Sequence, residues 1–178
     1  MKRKYSATLI FSAVFCLVFI SLGFAQEKSF AVINSQKVLE ESVEGKRVIA
    51  QLQEKDQKTQ NELAKMDEEI RQLETKLNTQ RLTLSQESIL QLTSDLERKR
   101  TERKRHAEDA LRDFQELQLR LYNRLQNELL PIIKQIGKEK GFKIIFDLSK
   151  SGAVYWDEAI DITDEVIKRY DAFKSGKK

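Results

Sequence analysis

Catalysis needs nucleophiles, acid–base pairs or metal ligands that can cooperate, and this sequence holds few of them. Of its 178 residues one is histidine, His106, and one is cysteine, Cys16. Neither a zinc site, a disulfide framework nor a Cys/His pair can be assembled from that stock. His106 lies in a charged run and reads as a solvated helix residue. Asp147, Asp157, Glu158 and Asp161 resemble a carboxylate cluster. With no Ser/His or Cys/His partner nearby, they read as turn and cap residues. No GxxxxGK[ST] loop is present to bind a nucleotide. The chain reads as a non-enzyme, with no catalytic residue, metal site or cofactor assigned.

What the sequence does concentrate is positive charge. Residues 71–105 carry a net +4, whereas 46–70 and 106–130 together carry −3. The cations of this zone include Lys76, Arg81, Arg98, Lys99, Arg100, Arg103, Lys104 and Arg105. Such a field attracts acidic polypeptides or anionic lipid. The competing reading is a solvated helix face whose acids, Glu97 and Glu102 among them, satisfy the cations locally.

The element that positions this zone is helical. Residues 46–130 contain no Gly or Pro and are rich in Leu, Glu, Lys, Arg and Gln. Apolar residues alternate at spacings of three and four through Ile49, Leu52, Leu63, Met66, Ile70, Leu73, Leu77 and Leu84. That is a coiled-coil seam. A second, looser seam runs through Leu96, Ala107, Ala110, Leu111, Phe114, Leu117, Leu121 and Leu125, with Arg100 and Arg103 on it. One straight helix would be roughly 130 Å long, and two paired arms roughly 60 Å each. The seam loses regularity at Leu82–Ser88, where Ser and Thr cluster, which favours a hairpin bent there. Pairing then sets Leu77 against the Leu96 region and Ile70 against the Arg103 region. Leu82, Ile89, Leu90 and Leu92 near the bend exceed what one seam can bury, so they are free to meet a partner.

Residues 26–45 and 131–178 remain as a small body. It holds seven aromatics and is expected to carry the aromatic core: Phe30, Phe142, Phe146, Tyr155, Trp156, Tyr170 and Phe173. Phe30–Ile33 reads as a strand and Ser35 as the cap of a short helix with Val38 and Leu39. Pro131 suits a helix restart or kink, and Gly141 a helix stop. Phe142–Leu148 reads as a strand, Ser149–Gly152 as a turn and Ala153–Trp156 as the returning strand. Asp161 and Asp164 start a last helix that buries Ile162, Val166, Tyr170 and Phe173. A body of about three strands has little core and open edges, so a closed symmetric oligomer is expected.

Residues 1–25 read as an export signal. Lys2, Arg3 and Lys4 precede an apolar run from Ala7 to Leu22, and Gly23-Phe24-Ala25 supplies a cleavage pattern before Gln26. That pattern favours a cleaved signal over a permanent membrane anchor. Cleavage discards Cys16 and leaves 29 Lys+Arg against 28 Asp+Glu. Global charge therefore gives no case for nucleic acid.

The mature chain resembles the Skp (OmpH) family of periplasmic chaperones. The resemblance rests on Phe30-Ala31-Val32-Ile33-Asn34-Ser35-Gln36-Lys37-Val38-Leu39-Glu40-Glu41-Ser42 with Glu44-Gly45-Lys46 after it. It rests also on the closing stretch Ala159-Ile160-Asp161-Ile162-Thr163-Asp164-Glu165-Val166-Ile167-Lys168-Arg169, and on a glycine-free helical insert between the two. It implies an α+β fold: a homotrimer whose β-containing bodies form a joint barrel, each with a coiled-coil hairpin arm hanging from it. It further implies an ATP-independent periplasmic holdase that encloses unfolded outer-membrane β-barrel proteins between the arms. The client-facing groups would be the basic zone and Leu82, Ile89, Leu90 and Leu92. Anionic lipid or lipopolysaccharide is a further candidate partner. The alternative is an envelope coiled-coil protein that tethers or spaces partners without binding clients.

Overall fold

The computed structural model describes residues 30–176; the export signal read over residues 1–25 lies outside them. Strand β1 (Phe30–Ile33) leads directly into helix α1 (Ser35–Glu41). The cap of α1 is Asn34 rather than Ser35: its side-chain oxygen accepts from the Lys37 amide at 3.0 Å. Ser35 is engaged elsewhere and donates its hydroxyl to Asp147 Oδ2 at 2.7 Å. Buried Ser42 ends α1 and caps helix α2 (Val43–Gln80), accepting from the Gly45 amide at 3.1 Å. This corner demands glycine, because a Cβ on Gly45 would lie 2.1 Å from the Leu39 carbonyl oxygen.

Helix α2 and helix α3 (Gln86–Lys140) contain 38 and 55 residues, or roughly 57 and 83 Å at 1.5 Å rise. They run antiparallel. Glu44 meets Arg124, Lys55 meets Asp113, Glu62 meets His106 and Glu69 meets Lys99, so sequence position falls on one helix as it rises on the other. The chain folds back on itself rather than forming a rod. The bend sits in the Ser/Thr cluster, where Ser85 caps α3 by accepting from the Ser88 amide at 3.2 Å. No restart occurs at Pro131, since α3 runs through it and stops at Gly141, whose φ of 72° is left-handed. Strand β2 (Ile144–Asp147) then pairs parallel with β1, Phe30 opposite Ile144 and Ile33 opposite Asp147. The hairpin is therefore the crossover between two parallel strands, which no short turn could join. Among the described residues no helix is long and apolar enough to cross a membrane.

Past β2 the body departs from the expected β-hairpin. Asp147 accepts from the Ser149 amide at 3.2 Å and starts one helical turn, α4 (Leu148–Ser151), where a simple turn was expected. Ala153–Trp156 forms no strand; Val154 is 98 % and Tyr155 84 % exposed. The free edge of β1 is taken instead by Asp161, bridged to Val32, and the Ile162 amide donates to the Val32 carbonyl at 3.0 Å. Helix α5 (Thr163–Ser175) follows. Asp161 stands just outside it, accepting from the Thr163 amide at 2.8 Å, and Asp164 lies in its first turn.

The core is aliphatic and joins body to arm. Ala31, Val38, Val48, Ile136 and Val166 are fully buried, and Leu52, Leu121, Leu125 and Leu129 nearly so. The expected aromatic core is absent, for of the seven aromatics only Tyr170 is buried. Phe142 is half-buried; Phe30, Phe146, Tyr155, Trp156 and Phe173 are exposed. A two-stranded sheet has too little area to cover both of its faces, so its aromatic side stays open.

Candidate functional site

The arm formed by α2 and α3 carries every candidate residue. Its root is fixed by a polar knot. Glu44, 3 % exposed, accepts from Arg124 at 2.7 Å and from Arg47 at 3.0 Å, and Lys174 of α5 lies 3.6 Å away. Lys174 also meets Glu128 at 2.9 Å, and Glu128 accepts from the Tyr170 hydroxyl at 2.7 Å. Burial works to raise the Glu128 carboxyl, yet Tyr170 and Lys174 hold it below the ordinary glutamate range. Burial, reinforced by Glu128, pushes the Tyr170 phenol well above its usual value.

The basic zone divides in two. Arg98 bonds Asp95 at 3.0 Å and Glu102 at 3.3 Å on its own helix. Lys99 reaches across to Glu69 at 2.6 Å, and Arg100 to Glu74 at 2.7 Å. Arg103 forks onto Asp67 at 2.9 and 3.1 Å. Lys104 stands 4.0 Å from Glu108. The hydrogen bond from Arg103 is the main cause holding the Asp67 carboxyl low, and that to Glu69 the main cause raising the Lys99 ammonium. Among the described residues Lys76, Arg81 and Arg105 make no ion pair, so they carry the unbalanced charge. His106 is not merely solvated: it faces Glu62 across the arm at 3.1 Å.

The apolar candidates divide as well. Leu82 is fully exposed at the bend and Leu90 is exposed one turn into α3, whereas Ile89 and Leu92 are half-buried at the tip of the hairpin. Sequence reasoning missed a larger apolar stripe nearer the root: Leu111, Leu119, Tyr122 and Leu130 are exposed along α3. Leu111, assigned to the seam from its spacing, points outward. The signal was present, because Leu117, Leu119, Leu121, Leu125, Leu129 and Leu130 are more than one buried stripe can use. A hollow of about 430 Å³ lies between the two helices near the root, lined by Lys55, Lys58, Arg120 and Arg124 over Leu117 and Leu121.

The carboxylates of the body serve the backbone. Asp157 accepts from the Ala159 amide at 2.8 Å and Asp161 from that of Thr163. Burial works to raise the Asp147 carboxyl, but donors from Ser35 and Ser149 keep it below the usual aspartate range. No group of three metal-ligating side chains occurs among the described residues.

This arrangement has known counterparts. An uncharacterised protein of Aquifex aeolicus is 28 % identical over 167 residues, covering 91 % of this chain and 98 % of its own length. A crystal structure from Caulobacter crescentus, assigned as an OmpH-like outer membrane chaperone, superposes with a TM-score of 0.73 at 21 % identity. It covers 82 % of this chain and 85 % of its own, and at that identity it speaks for the fold. The profile of the OmpH-like outer membrane proteins matches residues 29–170, from β1 through the arm to the middle of α5. A chain matched over that span, with two parallel strands joined by a long helical hairpin, belongs to the OmpH-like family.

Proposed function

We propose that this protein is an ATP-independent holdase of the periplasm, and not an enzyme. It works as a homotrimer and shields unfolded outer-membrane β-barrel proteins from aggregation until they reach the outer membrane. The observation that carries the reading is an arm of two long helices whose exposed face mixes unpaired cations with unburied apolar groups. Leu82, Leu90, Leu111, Leu119, Tyr122 and Leu130 are spread along it; Lys76 and Arg81 lie toward the bend and Arg105 about midway along the arm, beside the His106–Glu62 contact. A sparse apolar surface among charges holds an unfolded chain weakly at many points, and weak contacts can let go. Family membership supports a chaperone role in general. The outer-membrane name of the family, together with the export signal in the sequence, supports the periplasm as its place.

The test is light scattering of a urea-unfolded outer-membrane barrel diluted into buffer with and without the mature protein. A stoichiometric trimer is expected to suppress the scattering without added nucleotide. Undiminished aggregation would remove the holdase reading and leave the tethering role of an envelope coiled coil.

A further inference from the structure

Four of the cross-arm ion pairs fall on a ladder. Going up α2, Glu44, Lys55, Glu62 and Glu69 stand eleven, seven and seven residues apart. Going down α3, their partners Arg124, Asp113, His106 and Lys99 are separated by the same steps. Steps of seven and eleven return to nearly the same side of a helix, so these pairs line one flank of the arm. Two further pairs, Asp67–Arg103 and Glu74–Arg100, stand off the ladder. Three rungs set an acid of α2 against a basic side chain of α3. The second rung is reversed: Lys55 Nζ of α2 lies 3.6 Å from Asp113 of α3.

The apolar seam by itself does not fix which rung meets which. A heptad pattern looks the same after a slip of seven residues, and from Glu97 to His106 α3 offers no apolar side chain. The bend resists a slip weakly, since Arg81, Leu82 and Thr83 are exposed. Charge does discriminate. A heptad slip in one direction sets Lys55 against Arg120, Glu62 against Asp113 and Lys76 against Lys99, three encounters of like charge. In the other direction Lys55 meets His106, which offers it no acid, and Glu44, 3 % exposed, faces Leu117 in place of Arg124. With the second rung turned round, the first slip would lose two of its three like-charge encounters.

We propose that the reversed Lys55–Asp113 rung is the register key of the arm, kept for the pairings it forbids more than for the attraction it supplies. An exposed pair at 3.6 Å supplies little attraction. The register matters because the arm sets the alignment of the body. Phe30 stands opposite Ile144 only when the two ends of the hairpin come level. A heptad slip would displace those ends by about 10 Å, or about three residues of strand, and β1 and β2 are each four residues long. The proposal stands on the geometry of the arm and is independent of the holdase reading.

The test refolds the full mature chain from urea and reads the register with spin labels at Gln53→Cys of α2 and Thr101→Cys of α3. Both sites are exposed, and labelled chains are diluted with unlabelled ones. The natural sequence is expected to return one distance. Lys55→Glu with Asp113→Lys keeps every rung paired in the native register but removes the key. It is expected to refold into two populations, the second shifted by roughly 10 Å. Lys55→Gln with Asp113→Asn removes the forbidden encounters without reversing a charge and is expected to show the same second distance. Glu62→Lys with His106→Glu reverses a different rung, leaves the key in place and is expected to keep one distance. A single unshifted distance from both key variants would overturn the proposal, and so would two populations from the variant reversed at Glu62 and His106.

Discussion

At the residue scale, the start of α2 turns on one glycine. Gly45 has no room for a side chain, because the Leu39 carbonyl oxygen occupies the place of its Cβ at 2.1 Å. The obstacle is backbone and cannot rotate away. Gly45→Ala is therefore expected to cost about 1–3 kcal/mol or more, read as a lower urea midpoint by circular dichroism. The acid–base behaviour of the body has a definite sign. Glu128 in the knot and Asp147 at the end of β2 sit below their ordinary values in the fold. The stability they contribute is complete above the unfolded range near pH 4 to 4.5 and disappears as the pH falls through their folded values. Tyr170 is shifted the other way, so its contribution is complete below pH 10 and is lost as the pH rises beyond. Urea midpoints at several pH values are expected to be flat from about pH 5 to 9 and to fall on both sides. In Tyr170→Phe the alkaline fall should shrink, and an unchanged alkaline limb would assign that loss to another group.

At the scale of elements, the pairing of α2 and α3 decides which charges can act on a partner. Lys99 and Arg103 hold the two helices together, while Lys76, Arg81 and Arg105 only project a field. Reversing Lys76, Arg81 and Arg105 to Glu is thus expected to slow capture of an acidic unfolded client several-fold at low salt, with helicity and melting unchanged. Reversing Arg98, Lys99, Arg103 and Lys104 is expected to lower the melting temperature as well, since Asp67 and Glu69 would then face like charge. Stopped-flow capture and thermal melts on both variants separate the roles, and equal melts would show that the cross-arm pairs contribute nothing. The hairpin itself was legible because heptad spacing, the Ser/Thr cluster with its Ser85 cap, and Gly141 all act through local geometry. The split of the basic zone was not legible, because it depends on which acids of α2 face which cations of α3, and only the pairing register sets that. The same blindness hid the His106–Glu62 contact and turned Leu111 inward on paper. Ala153–Trp156 has strand-forming residues, but one helical turn, α4, stands where a tight turn would return the chain along β2, whose outer edge stays unpaired among the described residues.

At the scale of the whole molecule, the exposed aromatics make the argument for association. Phe30 and Phe146 stack on the open side of the sheet with centroids 6.5 Å apart, and Ile144 beside them is also exposed. Tyr155 and Trp156 stand in the unpaired segment beyond β2, whose residue types suit a strand. An apolar sheet face with an unpaired β2 edge and an exposed apolar segment beside it is the pattern expected of a body completed by copies of itself. Phe146→Lys with Tyr155→Lys places charge at that surface and leaves the buried aliphatic core untouched. The variant is expected to sediment as a monomer with helicity retained, and the natural mature chain as the proposed trimer. The monomer would keep every arm residue, so it separates two sources of holding power. If enclosure between arms matters, suppression of aggregation should be lost at equal chain concentration. If single arms suffice, suppression should survive dissociation, and the exposed leucines of α3 would then carry the activity alone.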